Sequence, residues 1–420
     1  MARGNRGFLG DLNEAFKRSI DPFYRGPKRG FIDGLSLGLA EMALGGSAIT
    51  QTANEFITRE MLRRGYQSDI ASAVTHALAS SIGKNDYSDV VARLERAGEQ
   101  GSDSARVTLG ALYLYGKGGL SQSVEKAVDL FSRAADAGDA TAQYNMGFLY
   151  WHGQGVSQSR SKAVEYFIKA ANQNDAPAQL VMGTLHYHGE EVEKSHPQAA
   201  HFFWKAAEQG DRDALFNLGL MHYHGEGTAV SHESAMQCFK QAAEKGDLVA
   251  QYWLGLAYMT GDSVSQNLNE SVKWIRSAAE QGEPDAQWQL GQFYRDGNGV
   301  PQDYSQSFKW FNLAANQNIP EAKCELARQL QLGLGVERNE HFAEQWYRAA
   351  ADQGYPAAEY NLGYLSAGRG DYADAVQRFS RAINAGFNEA HVGMGKLAEA
   401  GHITGTPDRE VARALYLHAA

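Results

Sequence analysis

The sequence predicts an all-α solenoid assembled from helix-turn-helix pairs, and three observations carry that prediction. One glycine recurs at a step of 36 residues, at Gly147, Gly183, Gly219, Gly255 and Gly291, with Ala327 and Gly363 continuing the register. Gly-x-Gly turns trail it at constant spacing, among them Gly153/Gly155, Gly225/Gly227, Gly297/Gly299 and Gly333/Gly335. Two adjacent columns then run at the same period: Phe131, Phe167, Phe203, Phe239, Ile275, Phe311, Tyr347, and beside it Tyr166, Phe202, Cys238, Trp274, Trp310, Trp346. A fixed period of this size belongs to stacked helix pairs, each burying its apolar face against its neighbours.

A chain of 420 residues would otherwise suggest roughly two to four domains. A solenoid instead grows by adding units. Apolar residues make up 43% and charged residues 21%, the balance of a folded soluble chain. The formal net charge of −10 argues against a general nucleic-acid binder, and no nucleic-acid partner is expected. Residues 1–30 nevertheless carry a net of +4, which leaves about −14 on the remainder. Cys238 and Cys324 lie more than two repeats apart, and helices packed roughly 8–10 Å apart put them beyond the ~7 Å Cα limit of a disulfide. Without a bridge framework the expected location is cytoplasmic. No signal peptide is read at the N-terminus, because its basic residues lead into Asp11 and Glu14 rather than an apolar core.

Residues 1–67 read as a basic and apolar region with short helices. Phe8, Leu12, Phe16 and Ile20 share one face of an amphipathic helix over 8–20, and two Pro and two Gly make 21–30 a turn. Residues 31–50 are the most apolar stretch. A membrane span there would bury Asp33 and Glu41 at about 2.5–3.5 kcal/mol each. Contact with a membrane surface through 1–50, helped by the basic flank, is the second reading. Burial as a cap on the first repeat is the expected one. Thr52-x-x-Glu55 is a capping-box pattern.

Residues 68–102 read as a degenerate leading repeat and 103–420 as the repeat array. Full units begin near Asp103, Thr141, Pro177, Asp213, Leu248, Asp285, Glu321 and Pro356. A last one begins near Asn388 and stops at Ala420, before the Gln-Gly-Asp that closes earlier copies. Its final helix, from about Asp408, is therefore expected to present an apolar face, as in a fragment or a chain covered there by another molecule.

A glycine inside a helix costs roughly 0.8–1.0 kcal/mol relative to alanine. That cost, met in unit after unit, implies close approach of the second helix. The loop glycines fit helices ending in the left-handed conformation, where a Cβ is penalised. They do not fit a phosphate loop, since no strand precedes them and no Lys-Ser/Thr follows.

Taken together, the pattern Ala-x-x-x-Leu-Gly-x-x-Tyr-x-x-Gly-x-Gly-Val, then Ala-x-x-(aromatic)-(aromatic)-x-x-Ala-Ala-x-Gln-Gly-Asp, resembles the Sel1-like repeat, a relative of the tetratricopeptide repeat. It stands here as AQYNMGFLYWHGQGV (142–156) with AVEYFIKAANQND (163–175), and as ALFNLGLMHYHGEG (214–227) with AMQCFKQAAEKGD (235–247). The resemblance covers 103–420. It implies a right-handed superhelical solenoid serving as a non-catalytic scaffold or adaptor for protein complexes, often at membranes, with no cofactor. Departures are Gly189-Glu190-Glu191 and Gly261-Asp262-Ser263 in place of Gly-x-Gly, Ala327 in place of the helix glycine, and an eighth unit four residues short. Kinks or looser packing are expected at those places.

Chemistry finds little support in the residue pattern. His186 and His188 sit two apart on a helix and point about 200° from each other, so they do not share an ion. His186 and His222 also occupy a position that is Tyr150, Tyr258 and Tyr294 elsewhere, a packing position. Gly34-Leu35-Ser36-Leu37-Gly38 has the form of a nucleophile elbow without the sheet such an elbow needs. No catalytic residue, metal ligand or cofactor is expected, and Cys238 reads as a buried filler of the aromatic column.

The expected functional surface is the concave face lined by first helices, where a protein partner, for instance an extended peptide, would lie. Its polar candidates are Gln143, Asn145, Asn217, Gln251, Gln287, Gln289 and Asn361. Tyr144, Phe216, Tyr252, Trp288 and Tyr360 form the accompanying aromatic column. The amides can bond a peptide backbone and the rings can anchor it. The competing reading is that Asn and Gln bridge neighbouring repeats.

Overall fold

A computed structural model of the chain describes residues 88–116 and 119–419. The expectations for 1–87 lie outside those residues: the helix over 8–20, the apolar stretch 31–50, the capping box at Thr52, the start of the leading repeat and the Ser36 motif. The described residues form α-helices and no strands. They fall into two compact units that divide between Lys245 and Gly246.

In the first unit α1 (Ser88–Glu99) packs on α2 (Asp103–Tyr115). Helix hairpins follow: α2 with α3 (Val124–Asp136), α4 (Ala140–His152) with α5 (Arg160–Asn172), α6 (Ala176–His188) with α7 (His196–Glu208), and α8 (Arg212–His224) with α9 (His232–Glu244). The second unit repeats the plan. Its hairpins are α10 (Leu248–Thr260) with α11 (Leu268–Glu280), α12 (Pro284–Asp296) with α13 (Tyr304–Asn316), α14 (Pro320–Leu332) with α15 (Glu340–Ala351), α16 (Pro356–Gly368) with α17 (Tyr372–Asn384), and α18 (Ala390–Glu399) with α19 (Arg409–Ala419). This is the all-α helix-pair solenoid that the sequence predicts.

Short polar side chains set where each helix starts. Ser159, Ser195 and Ser231 cap second helices in the first unit, and Asn267, Asp303 and Asn339 do so in the second. Asp139, Asp175, Asp211, Asp247 and Glu283 accept from the third backbone N–H after them and cap first helices. The aspartate of Gln-Gly-Asp, read from sequence as part of a stop, is therefore the start signal of the next unit, and such a cap contributes about 1 kcal/mol. Ile319 and Tyr355 make no such bond, and Pro320 and Pro356 open their helices instead.

The helix glycines do meet the second helix. A Cβ on Gly147 would lie 2.6 Å from the Phe167 ring, and one on Gly183 2.6 Å from Phe203. Gly255 meets Ile275 at 2.5 Å in the same way. The inner column from Phe131 to Tyr347 is buried throughout, whereas Tyr166, Phe202, Cys238, Trp274, Trp310 and Trp346 are half-buried. Ala327 shares its core with Tyr347, whose hydroxyl donates to Gln331 Oε1 at 3.0 Å.

The expected kinks at the atypical loops give way to a different solution. Glu191 (φ 58°) and Ser263 (φ 62°) adopt the left-handed backbone that Gly155 and Gly227 hold in other units. The helix starts on either side keep the offset seen at α4 and α5. The departure is absorbed as local backbone strain, not as a change of helix spacing. In the eighth unit the shortening falls wholly in the loop: only 369–371 separate α16 from α17, where 153–159 separate α4 from α5.

Candidate functional site

A stripe of residues at i, i+3, i+4 and i+7 on each first helix borders the hairpin core, and Tyr144, Trp288 and Tyr360 on it pack against that core with part of their surface exposed. In the second unit Tyr252, Trp288 and Tyr360 occupy one repeat position on this stripe, each half-buried, and Cys324 fills that position on α14. Beside them Asn361 is half-buried and Gln289 buried. Two contacts join the stripes of successive first helices. Arg295 Nη1 meets Glu325 Oε1 at 3.0 Å, and Asn361 Nδ2 donates to Cys324 Sγ at 3.6 Å. In the first unit Tyr144 and Asn145 are half-buried, while Phe216 and Asn217 are fully enclosed. Asn145 and Asn361 also donate to carbonyls of their own helices, at Thr141 and Ala357.

The glutamines two positions before Asn145 and its equivalents have a different job. Gln143 is buried; its Nε2 donates to the Ala135 carbonyl at 3.3 Å and its Oε1 accepts from Gln173 Nε2 at 2.9 Å. Gln179 repeats the arrangement with Ala171 and Gln209, and Gln287 with Ala279 and Gln317. Gln251 accepts from Gln281 at 3.0 Å. One amide on each of α4, α6 and α12 thus ties the ends of the second helices before and after it. For Gln143, Gln251 and Gln287 the bridging reading describes the geometry.

Between Gln143 and Lys323 this ladder has two irregular rungs. At the first, Leu215 stands in place of the glutamine and Lys245 in place of its donor. At the second, the buried Lys323 donates Nζ to Asn318 Oδ1 at 2.9 Å and to Gln353 Oε1 at 3.1 Å, reversing the polarity. Burial pulls the Lys323 ammonium below its ordinary value. The donors Gln173, Gln209, Gln281 and Gln317 escape single-position reading; their constant separation of 30 residues from Gln143, Gln179, Gln251 and Gln287 is the signal that marks them.

The remaining electrostatics are structural in kind. Burial pushes the Cys238 thiol up to about 11 and the Cys324 thiol up to about 12, and both are free. Such thiols are poor nucleophiles. Burial, with a hydrogen bond to Tyr364, raises Tyr360 to about 12. His186 stacks on Phe202 with centroids 5.6 Å apart, as Tyr150 stacks on Tyr166 at 5.7 Å, so it is a packing residue. Among the described residues no three His, Cys, Asp or Glu side chains group as metal ligands would. None of the helices among them is long and apolar enough to cross a membrane.

Comparison with known proteins follows the same lines. The Sel1 repeat model matches residues 105–139, 140–175, 284–319, 320–355 and 356–386, and a plant tetratricopeptide repeat model matches 186–287. The chain is similar to the crystal structure of a protective antigen of uropathogenic Escherichia coli strains displaying an SLR fold. The two are 29% identical with a TM-score of 0.70, over 78% of this chain and 71% of that one. It is also similar to a Sel1 repeat protein from Oxalobacter formigenes, 28% identical with a TM-score of 0.53, over 79% and 91%. A curated relative, the ERAD-associated E3 ubiquitin-protein ligase component HRD3A of Arabidopsis thaliana, is 34% identical over 61 residues, which span 14% of this chain and 9% of that protein. The 36-residue unit, its helix pairing and these matches agree: the chain carries Sel1 repeats at residues 105–175 and 284–386.

Proposed function

We propose that the protein is a non-catalytic scaffold that binds partner proteins on the exposed stripes of its first helices. The observation that carries this reading is the recurrence of half-buried aromatic rings at one repeat position, Tyr144 in the first unit and Tyr252, Trp288 and Tyr360 in the second. A ring at that position in full repeats could have been enclosed, as Phe216 is, yet four keep part of their surface exposed. Half-exposed Tyr and Trp are the side chains that anchor protein interfaces. Half-buried Asn145 and Asn361 flank Tyr144 and Tyr360, whereas Asn217 and Gln289 are buried and Gln143, Gln251 and Gln287 serve the ladder. A pull-down with full-length protein, read by mass spectrometry, tests this. Partners retained by wild type should be lost on Tyr252→Ser with Trp288→Ala in folded protein; an unchanged partner list contradicts the reading.

We propose a second contact at the N-terminus, on the strength of its charge. Residues 1–30 hold a net of +4 in a chain of net −10, which suits an anionic membrane surface. Flotation with anionic vesicles should fall when Arg25, Lys28 and Arg29 are changed to Gln, and equal flotation of both proteins counts against membrane recruitment.

A further inference from the structure

We propose that Asn298 is a site of spontaneous deamidation, where a loop of the second unit converts to an isoaspartyl linkage as the protein ages. The loop after α12 reads Gly297-Asn298-Gly299 and holds the one Asn-Gly pair of the sequence. At the equivalent place other units have Gln154, Glu190, Glu226, Asp262 and Leu334. A carboxylate or an alkyl chain has no amide to lose, and Gln154 would have to close a six-membered ring. Asn298 closes a five-membered one. The reacting atoms are also free. Asn298 and Gly299 are both exposed, and Gly299 has no Cβ to shield its amide nitrogen. Among the described residues the Asn298 side chain takes no hydrogen bond and the Gly299 N–H donates to no carbonyl. Asn174 and Asn318, also in turns, have their side-chain oxygens held by Gln179 and Lys323 at 2.9 Å each.

The Gly299 nitrogen attacks Asn298 Cγ and forms the new N–C bond. The bond from Cγ to the side-chain nitrogen breaks, and ammonia leaves with the Gly299 amide proton. Water then opens the succinimide at either carbonyl. Opening at Cγ gives aspartate; opening at the main-chain carbonyl gives isoaspartate, whose backbone runs through Cβ and Cγ and gains one atom. The two products differ in what they do to the fold. Glu226 and Asp262 already place a carboxylate here, followed by left-handed Gly227 and Ser263, so the added charge suits the turn. The added backbone atom does not, because Gly299 is seated on α11. A Cβ on it would lie 2.9 Å from Val272 Cγ2 and 3.0 Å from the Leu268 carbonyl oxygen. A contact this close does not absorb an extra atom, so isoaspartate lifts the loop and loosens the α12–α13 hairpin from α11.

The test ages full-length protein at mildly alkaline pH and reads its peptides by mass spectrometry, with an isoaspartyl-specific methyltransferase counting the isoaspartate. The Asn298 amide should be lost severalfold faster than that of any other asparagine in 88–419, with isoaspartate among the products. Asn298→Gln should show no conversion at that position. Aged wild type should have a lower urea midpoint than fresh wild type, whereas aged Asn298→Gln and fresh Asn298→Asp should match their own unaged and wild-type values. An Asn298 amide that survives ageing in the folded protein, yet is lost once urea unfolds it, would mean that the fold protects the site and would overturn the proposal. Conversion no faster than at Asn174 or Asn318 would overturn it too. Isoaspartate at 298 with an unchanged midpoint would uphold the modification site and overturn the loosening.

Discussion

Gly291 lies against Phe311, so close that a Cβ on the glycine would come within 2.6 Å of the ring. The same contact recurs between Gly147 and Phe167 and between Gly219 and Phe239, and it fixes how near the two helices of a hairpin sit. Gly291→Ala should therefore destabilise the second unit by about 1–3 kcal/mol through overpacking, despite alanine's better helix propensity. A lower urea midpoint with unchanged slope would show this. Ala327→Gly, at the one full repeat without the glycine, should instead cost roughly 1 kcal/mol of helix propensity and relieve nothing.

The amide ladder makes a prediction in both directions. Gln287→Ala strips a partner from the Ala279 carbonyl and the Gln317 amide and should cost about 1–3 kcal/mol. Leu215→Gln alone buries an amide opposite a lysine and should destabilise. Paired with Lys245→Gln it supplies both halves of the missing rung, and the pair should recover about 0.5–1.5 kcal/mol relative to the single change. A double-mutant cycle by denaturant melting reads the coupling, which should be near zero if the ladder is incidental.

Loop glycines divide into tolerant and intolerant positions. A Cβ on Gly335 would fall 2.2 Å from the Tyr304 carbonyl carbon, backbone that cannot step aside. Gly335→Ala should cost several kcal/mol, about 3 or more, since it adds left-handed strain to a backbone clash. Ser263 pays only the conformational term, so Ser263→Gly should be neutral to stabilising by up to about 1 kcal/mol. Thermal melts of the two variants should move in opposite directions.

Acid should weaken the second unit through Glu344. Hydrogen bonding by Arg369, with Arg348 adding to it, holds the Glu344 carboxyl below the ordinary range. Its depressed folded pKa means that the ionised form favours folding. The contribution is present above the unfolded value of about 4.3 and is lost as pH falls through the folded one. The site is partly solvated, so the effect is small. Glu344→Gln should flatten stability against pH in that window and leave the neutral-pH slope alone.

The architecture was legible because steric demands repeat: a glycine that must admit Phe167 or Phe311 returns in the full units with Ala327 the exception, and so do the inner rings with Ile275 the exception. The ladder was not, because a polar residue facing a neighbouring repeat and one facing a ligand look the same in a single unit. Gln143 and Gln287 gain their meaning only with Gln173 and Gln317, thirty residues on. Joint replacement at Leu215/Lys245 is the trace of that pairing in the sequence, whereas at the other irregular rung only Lys323 is changed and Gln353 is kept. Glu191 and Ser263 were misleading for the opposite reason. They suggested a broken turn where the backbone holds its shape and accepts the strain.

Recognition by the first-helix face is most directly tested by placing a photo-crosslinking residue at Trp288 and, separately, at Lys309 on a second helix, then exposing each full-length protein to a purified partner recovered by pull-down. The account predicts a covalent adduct from position 288, competed away by unlabelled wild-type protein, and none from position 309. An adduct from 309 with none from 288 would contradict it.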